Sequence, residues 1–175
     1  MELRKCPAII ILTGASGAGK TALILKLNEL AIPGVEAINC DRADVPDCSE
    51  PSDRQADVLR YWLDHLRAKP SIDLAVLDTQ IRPHRAREIL DQAGSIHSQI
   101  VLVNCEPAIR NERLLRERNQ PELANPRMDC WAAYLRGQAD ALNLSIIDTS
   151  NDSLDVSCKM LEGFVRQLLD RTRKL

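Results

Sequence analysis

Eight residues between an apolar run and an amphipathic segment constrain this chain more than anything else in it. Gly14-Ala15-Ser16-Gly17-Ala18-Gly19-Lys20-Thr21 fits the pattern G-x-x-x-x-G-K-[ST] at every fixed position. With glycine at ~7% usage, a chance match in a chain of this length is on the order of a one per cent event. The context fits as well. Residues 8–13 form a continuous β-rich run that suits a strand buried on both faces. Over residues 20–30, Leu23, Ile24, Leu27 and Leu30 recur at helical spacing. The glycines let the backbone turn tightly and aim N–H groups inward, forming a concave anion nest. The following helix points its positive end at the same place.

The motif is a Walker A phosphate-binding loop, or P-loop. It predicts nucleotide binding through Gly14, Ala15, Ser16, Gly17, Ala18, Gly19, Lys20 and Thr21. Lys20 would reach the β- and γ-phosphates of ATP, and the Thr21 hydroxyl would ligate Mg²⁺. Catalysis would then rest first on Lys20.

Strand and helix patterns alternate along the rest of the chain. Residues 35–40 read as a second strand, 73–78 as a third, 100–105 as a fourth and 144–147 as a fifth, ending at Asp148. Helical patterns lie between them at 52–69, 83–94, 107–118 and 127–142, and a last one ends near 171, capped by Ser153 or a neighbour. Pro83 and Pro107 stand where a first helical turn accepts proline. Five strands alternating with helices predict one α/β domain with a parallel sheet and right-handed crossovers. With 175 residues the chain buries a core without staples.

Composition narrows the function. Lys and Arg number 23 against 25 Asp and Glu, and aromatics are 3% of residues. That balance gives no pull toward nucleic acid, and so few rings argue against a stacking platform for bases. No apolar stretch reaches the ~18–20 residues that span a bilayer. Cys6, Cys40, Cys48, Cys105, Cys130 and Cys158 show no metal-ligand spacing. Cys40 and Cys105 end apolar runs and read as buried small hydrophobes. A reduced, cytoplasmic protein follows as the simplest expectation. Trp62, Trp131 and Tyr134 sit among leucines at helical spacings and read as core.

Acids at strand ends supply the remaining candidates. Asp78 closes the third strand, where a Walker-B-type carboxylate holds Mg²⁺, so Thr21 and Asp78 form the predicted metal pair. Asp41, after the second strand, is a candidate for orienting or deprotonating an acceptor hydroxyl, with Asp44 a second candidate nearby. The segment 110–118 is dense in arginine. Arg113 and Arg116 share a helical face, Arg110 lies in line behind them, and Arg118 stands at the mouth of a polar, proline-bearing loop. An arginine there would clamp the transferring phosphoryl group. Arg116 and Arg118 are the catalytic candidates, and Arg113 competes with them. Arg127 and Arg136 lie across that loop and would converge on the substrate.

Taken with VLDTQIRP at the third strand, VNCEPAIRNERLLRER before the loop and IIDTSNDS after the fifth strand, the chain resembles the P-loop small-molecule kinases of the adenylate, shikimate and gluconate kinase group. It also resembles uncharacterised bacterial ATP-binding relatives of that group. The resemblance spans nearly the whole chain. It implies a three-layer P-loop NTPase fold with sheet order 2-3-1-4-5, a short helical lid at 118–127 and an acceptor site between strands two and three. It further implies that 149–152, with Thr149 and Asn151, lies near the adenine, and that Arg82 holds an anionic acceptor. The expected activity is ATP- and Mg²⁺-dependent phosphoryl transfer to a small-molecule hydroxyl or phosphate, by a monomer or homodimer without a membrane partner. Two rivals are an ATP-binding regulatory or interaction domain without acceptor kinase activity, and a nucleic-acid end kinase. A GTPase switch needs Asp-x-x-Gly after the third strand, and this chain has Asp78-Thr79-Gln80-Ile81.

Overall fold

A computed structural model describes residues 7–40, 54–94 and 97–174. The expected alternation is present: β1 (Ala8–Thr13), α1 (Lys20–Glu29), β2 (Val35–Asn39), α2 (Arg54–Arg67), β3 (Leu74–Asp78), α3 (Pro83–Gln92), β4 (Ser98–Asn104), α4 (Pro107–Glu112), α5 (Pro126–Ala141), β5 (Ser145–Asp148) and α6 (Leu154–Arg173). The strands form one parallel sheet in the order β2-β3-β1-β4-β5, as the resemblance implied.

The sheet buries both faces because its strands are apolar at consecutive positions. Every residue of β1 and of β3 is buried. On one face Ile10, Leu12, Val76 and Val103 pack against Leu23, Ile24 and Leu27 of α1 and Leu161, Val165 and Leu168 of α6. On the other, Ile9, Ile11 and Leu77 meet Leu59 and Leu63 of α2 and Ile89 of α3, while Leu102 meets Leu135 and Ala139 of α5. This is the three-layer arrangement expected from the sequence. Cys40 and Cys105 are buried in these layers, as expected. Among the described residues no helix is long and apolar enough to cross a membrane.

Register sets the working edge of the sheet. Leu12 pairs with Asp78 across β1 and β3, and Asn39 pairs with Asp78 across β2 and β3. The carboxyl ends of the three strands therefore lie level, with the P-loop leaving β1 beside Asp78.

Two expectations change. The helix expected over 107–118 forms, but its winding changes along its length. Helix α4 stops at Glu112 and widens into a π-helical turn, Arg113–Glu117, closed by the Arg118 N–H donating to the Arg113 carbonyl at 3.0 Å. Such wide turns are short and recur at functional sites. Asn119, at φ 49°, then reverses the chain into a 3₁₀ turn, Pro121–Leu123. The 118–127 segment is thus a turn-built connection, with helix only where α5 begins. Second, Tyr134 is not core, whereas Trp131 packs against Leu102, Leu135 and Ala139. Trp131 is half-buried and Tyr134 is 45% exposed, their rings stacked with centroids 5.6 Å apart. Helical spacing places both on α5 beside Leu135, but the packing reaches Trp131 and leaves Tyr134 exposed.

Candidate functional site

The P-loop departs from β1 at Gly14 and closes on α1 at Lys20. Its glycines answer specific contacts. A Cβ at Gly14 would sit 2.4 Å from the Val103 carbonyl oxygen, since the loop crosses directly over the end of β4. Gly17, at φ 83°, is both left-handed and pressed against Arg110 and Leu114.

Lys20, Thr21 and Asp78 converge at the mouth of this loop. The Thr21 hydroxyl donates to Asp78 Oδ2 at 3.0 Å. Lys20 Nζ lies 4.0 Å from Asp78 Oδ1 and donates to the Gly14 carbonyl at 2.8 Å. Lys20 and Asp78 are both buried. A charged pair held this dry is expensive to assemble and strong once assembled, because little solvent screens it. Asp78 is placed by β3, and the other two by the first turn of α1. Thr13, the last residue of β1, fixes the chain leaving β3 by donating its hydroxyl to the Ile81 carbonyl at 2.6 Å.

The end of β5 closes the site from the other side. The Thr149 hydroxyl donates to the Ala18 carbonyl at 2.7 Å, so the residue after β5 touches the P-loop itself. Arg113, from the π-helical turn, donates to Thr149 Oγ1 at 2.9 Å and to its carbonyl at 2.7 Å. Beside it, Asp148 accepts from the Asn104 amide at 2.8 Å and from the Ser150 N–H at 2.9 Å. Burial pushes the Asp148 carboxyl up, but hydrogen bonds from Ser150 and Asn104 and the charge of Arg136 outweigh it and hold the carboxyl below its ordinary value. Asn151 is exposed on the following loop.

The remaining arginines divide. Arg116 and Arg136 do not converge on the P-loop. Arg116 is 79% exposed and pairs with Glu112 one turn back on its own segment. Arg136 pairs with Asp140 on α5 at 3.1 Å. Wide-turn geometry at 113–117 aims Arg113 inward and leaves Arg116 outside. Arg118 and Arg127, at the two ends of the 118–127 segment, are exposed. Arg82 is exposed at the start of α3, its guanidinium 5.8 Å from the Trp131 ring centroid and 6.0 Å from that of Tyr134. Asp41 and Asp44 lie outside the described residues.

Sequence reasoning passed over one side chain. Arg110 is the largest fully buried residue among those described, and it pairs through Nη2 with Asp129 in the first turn of α5. The arginine-dense run drew attention to it only as a member of a face. A signal was present, since Asp129 is the lone acid in the first turn of the next helix.

The sequence matches no protein-family model and none of the curated proteins. Solved structures share its architecture. A gluconokinase from Sinorhizobium meliloti 1021 superposes with a TM-score of 0.62 at 16% identity, over 98% of this chain and 99% of the gluconokinase. A shikimate kinase from Acinetobacter baumannii, in complex with shikimate, gives a TM-score of 0.57 at 21% identity, over 92% and 94% of the two chains. A tunicamycin resistance protein from Deinococcus radiodurans gives 0.63 at 20% identity, over 91% and 95%. With a P-loop at the end of β1, Asp78 at the end of β3 and sheet order 2-3-1-4-5, the chain has the P-loop kinase fold that these structures share.

Proposed function

We propose that this protein is an ATP-dependent phosphotransferase acting on a small-molecule acceptor. The observation that carries the reading is the meeting of Lys20, Thr21 and Asp78 in the mouth of the loop, with the Thr21 hydroxyl 3.0 Å from the Asp78 carboxylate. A hydroxyl and a carboxylate this close form an all-oxygen donor set that suits a hard cation such as Mg²⁺. When bound, Mg²⁺ neutralises charge on the β- and γ-phosphate oxygens.

The chain's own groups do the rest. Left-handed Gly17 and Gly19 curve the loop so that successive N–H groups surround the phosphates. Lys20 exchanges its hold on the Gly14 carbonyl for the phosphate oxygens, moving a buried ammonium onto the group that gains charge in the transition state. Asp78 holds both Thr21 and Lys20 in place. Arg118 and Arg127 are the arginines available to clamp the γ-phosphoryl, because Arg113 is committed to Thr149 and the guanidinia of Arg116 and Arg136 to carboxylates on their own segments. Thr149 and Asn151 border the base. Arg82, exposed at the start of α3, would meet an anionic acceptor, and the sequence candidates for orienting its hydroxyl remain Asp41 and Asp44. Closure of 118–127 would exclude water, which transfer to a non-water acceptor requires.

The fold neighbours support the reading, because they include a shikimate kinase and a gluconokinase. ADP release, measured with and without a panel of hydroxyl- and phosphate-bearing metabolites, tests it. Acceptor-dependent turnover that disappears in Lys20→Ala is the expected result. Turnover undiminished in that variant rejects the assignment, and ATP binding without turnover on any acceptor points to a regulatory binding domain.

A further inference from the structure

Arg110 has the least solvent exposure its residue type allows, 0%, yet it is fixed at one end only. Its Nη2 meets Asp129, while Nε and Nη1 find no acceptor among the described residues. Burying a guanidinium with unspent donors is costly, and an apolar side chain of similar volume would fill the space without that cost. The charged pair supplies something an apolar contact cannot, a directional tie between two elements. One end of the tie is the P-loop. A Cβ on Gly17 would lie 2.8 Å from Arg110 Cγ and 3.1 Å from its carbonyl oxygen, so the arginine stem directly backs the loop. The other end is the first turn of α5, which begins at Pro126 as the 118–127 segment ends. Packing between the two is incomplete, with a cavity of about 10 Å³ among Ala15, Ala18, Arg110 and Ala132.

We infer that Arg110 is a positioning residue that, through Asp129, couples occupancy of the P-loop to the placement of α5 and of the segment joined to it. The inference rests on the proposed nucleotide binding. When the loop tightens around phosphate, Gly17 moves against Arg110, and the ion pair carries the displacement to Asp129. Such coupling is reciprocal, so an α5 held in place also pre-forms the loop.

Trp131, two residues beyond Asp129 and half-buried, reports on α5. The chain has only one other tryptophan, Trp62, so Trp62→Phe leaves a single reporter. In that protein, a non-hydrolysable ATP analogue with Mg²⁺ is titrated while Trp131 emission and binding heat are recorded. The expected result is an emission change on saturation. Asp129→Asn abolishes the change while calorimetry still shows binding, weakened about tenfold, within the usual range for coupled sites. Arg110→Met, similar in volume and uncharged, gives the same loss of emission change. Simple electrostatics predicts the opposite sign, because removing a negative charge beside an anion site tightens binding. Tighter binding in Asp129→Asn, a full emission change in either variant, or binding without an emission change in the parent overturns the inference alone. No binding heat in the parent overturns the proposed function as well.

Discussion

The Arg113 guanidinium grips Thr149 twice, at the hydroxyl with 2.9 Å and at the carbonyl with 2.7 Å, while the same hydroxyl donates to the P-loop at Ala18. One arginine thereby joins the π-helical turn, the end of β5 and the phosphate loop. Arg113→Ala removes two charge-assisted hydrogen bonds, each worth about 1.5–3 kcal/mol. Because Arg113 is only half-buried, the lower end of that range applies to each, and a loss of about 3 kcal/mol is expected in urea denaturation. Nucleotide affinity should fall with it, because Thr149, which braces Ala18, loses the arginine that holds it.

Asp78→Asn keeps the volume and removes the charge that Thr21 and Lys20 share. Turnover should drop roughly 10²–10³-fold, the usual cost of removing one electrostatic contributor at a transition state. Nucleotide binding should survive in part, because the loop's N–H groups remain. Steady-state ADP release and calorimetry separate the two effects.

Two glycine substitutions should move stability in opposite directions. Gly17→Ala places a methyl group 2.8 Å from Arg110 Cγ and 2.9 Å from Leu114 Cγ at a φ of 83°. Backbone strain alone costs about 1–2 kcal/mol there, before the clash. Gly137→Ala lies within α5 with nothing inside 4 Å of the new methyl. It should stabilise by roughly 0.5–1 kcal/mol through helix propensity. Denaturation midpoints of the two variants against the parent check both signs.

Asp148 predicts an acid limb. Its folded carboxyl is held below its ordinary value, so it favours the folded state above about pH 4. That contribution disappears as pH falls through the lower, folded value. Asp148→Asn should therefore be less stable than the parent at neutral pH. The gap between them should close below about pH 4 in a pH series of thermal melts.

The local chemistry of the chain determined much of this. Glycines between Thr13 and Lys20, apolar runs ending in Asp78 and Asp148, and prolines at 83 and 107 act through nearest neighbours, so β1, the P-loop, α1 and the alternation of strands and helices are legible in the sequence. Asp78 is legible for the same reason, because a strand in a parallel sheet delivers its last residue to the carboxyl edge. The arginines are different. Arg110, Arg113, Arg116 and Arg118 are chemically equivalent in the sequence, and a uniform helix would have ranked them by face. In the folded chain Arg110, within α4, is buried on Asp129, Arg113 meets Thr149 and Arg116 stays in water. Likewise Tyr134 on α5 has core-like spacing, yet the packing leaves it exposed beneath Arg82. The sequence by itself determined the elements and the phosphate loop. Tertiary structure decided which charge meets which partner, because those partners lie on other elements, at separations such as the 19 residues between Arg110 and Asp129, the 36 between Arg113 and Thr149 and the 131 between Ala18 and Thr149.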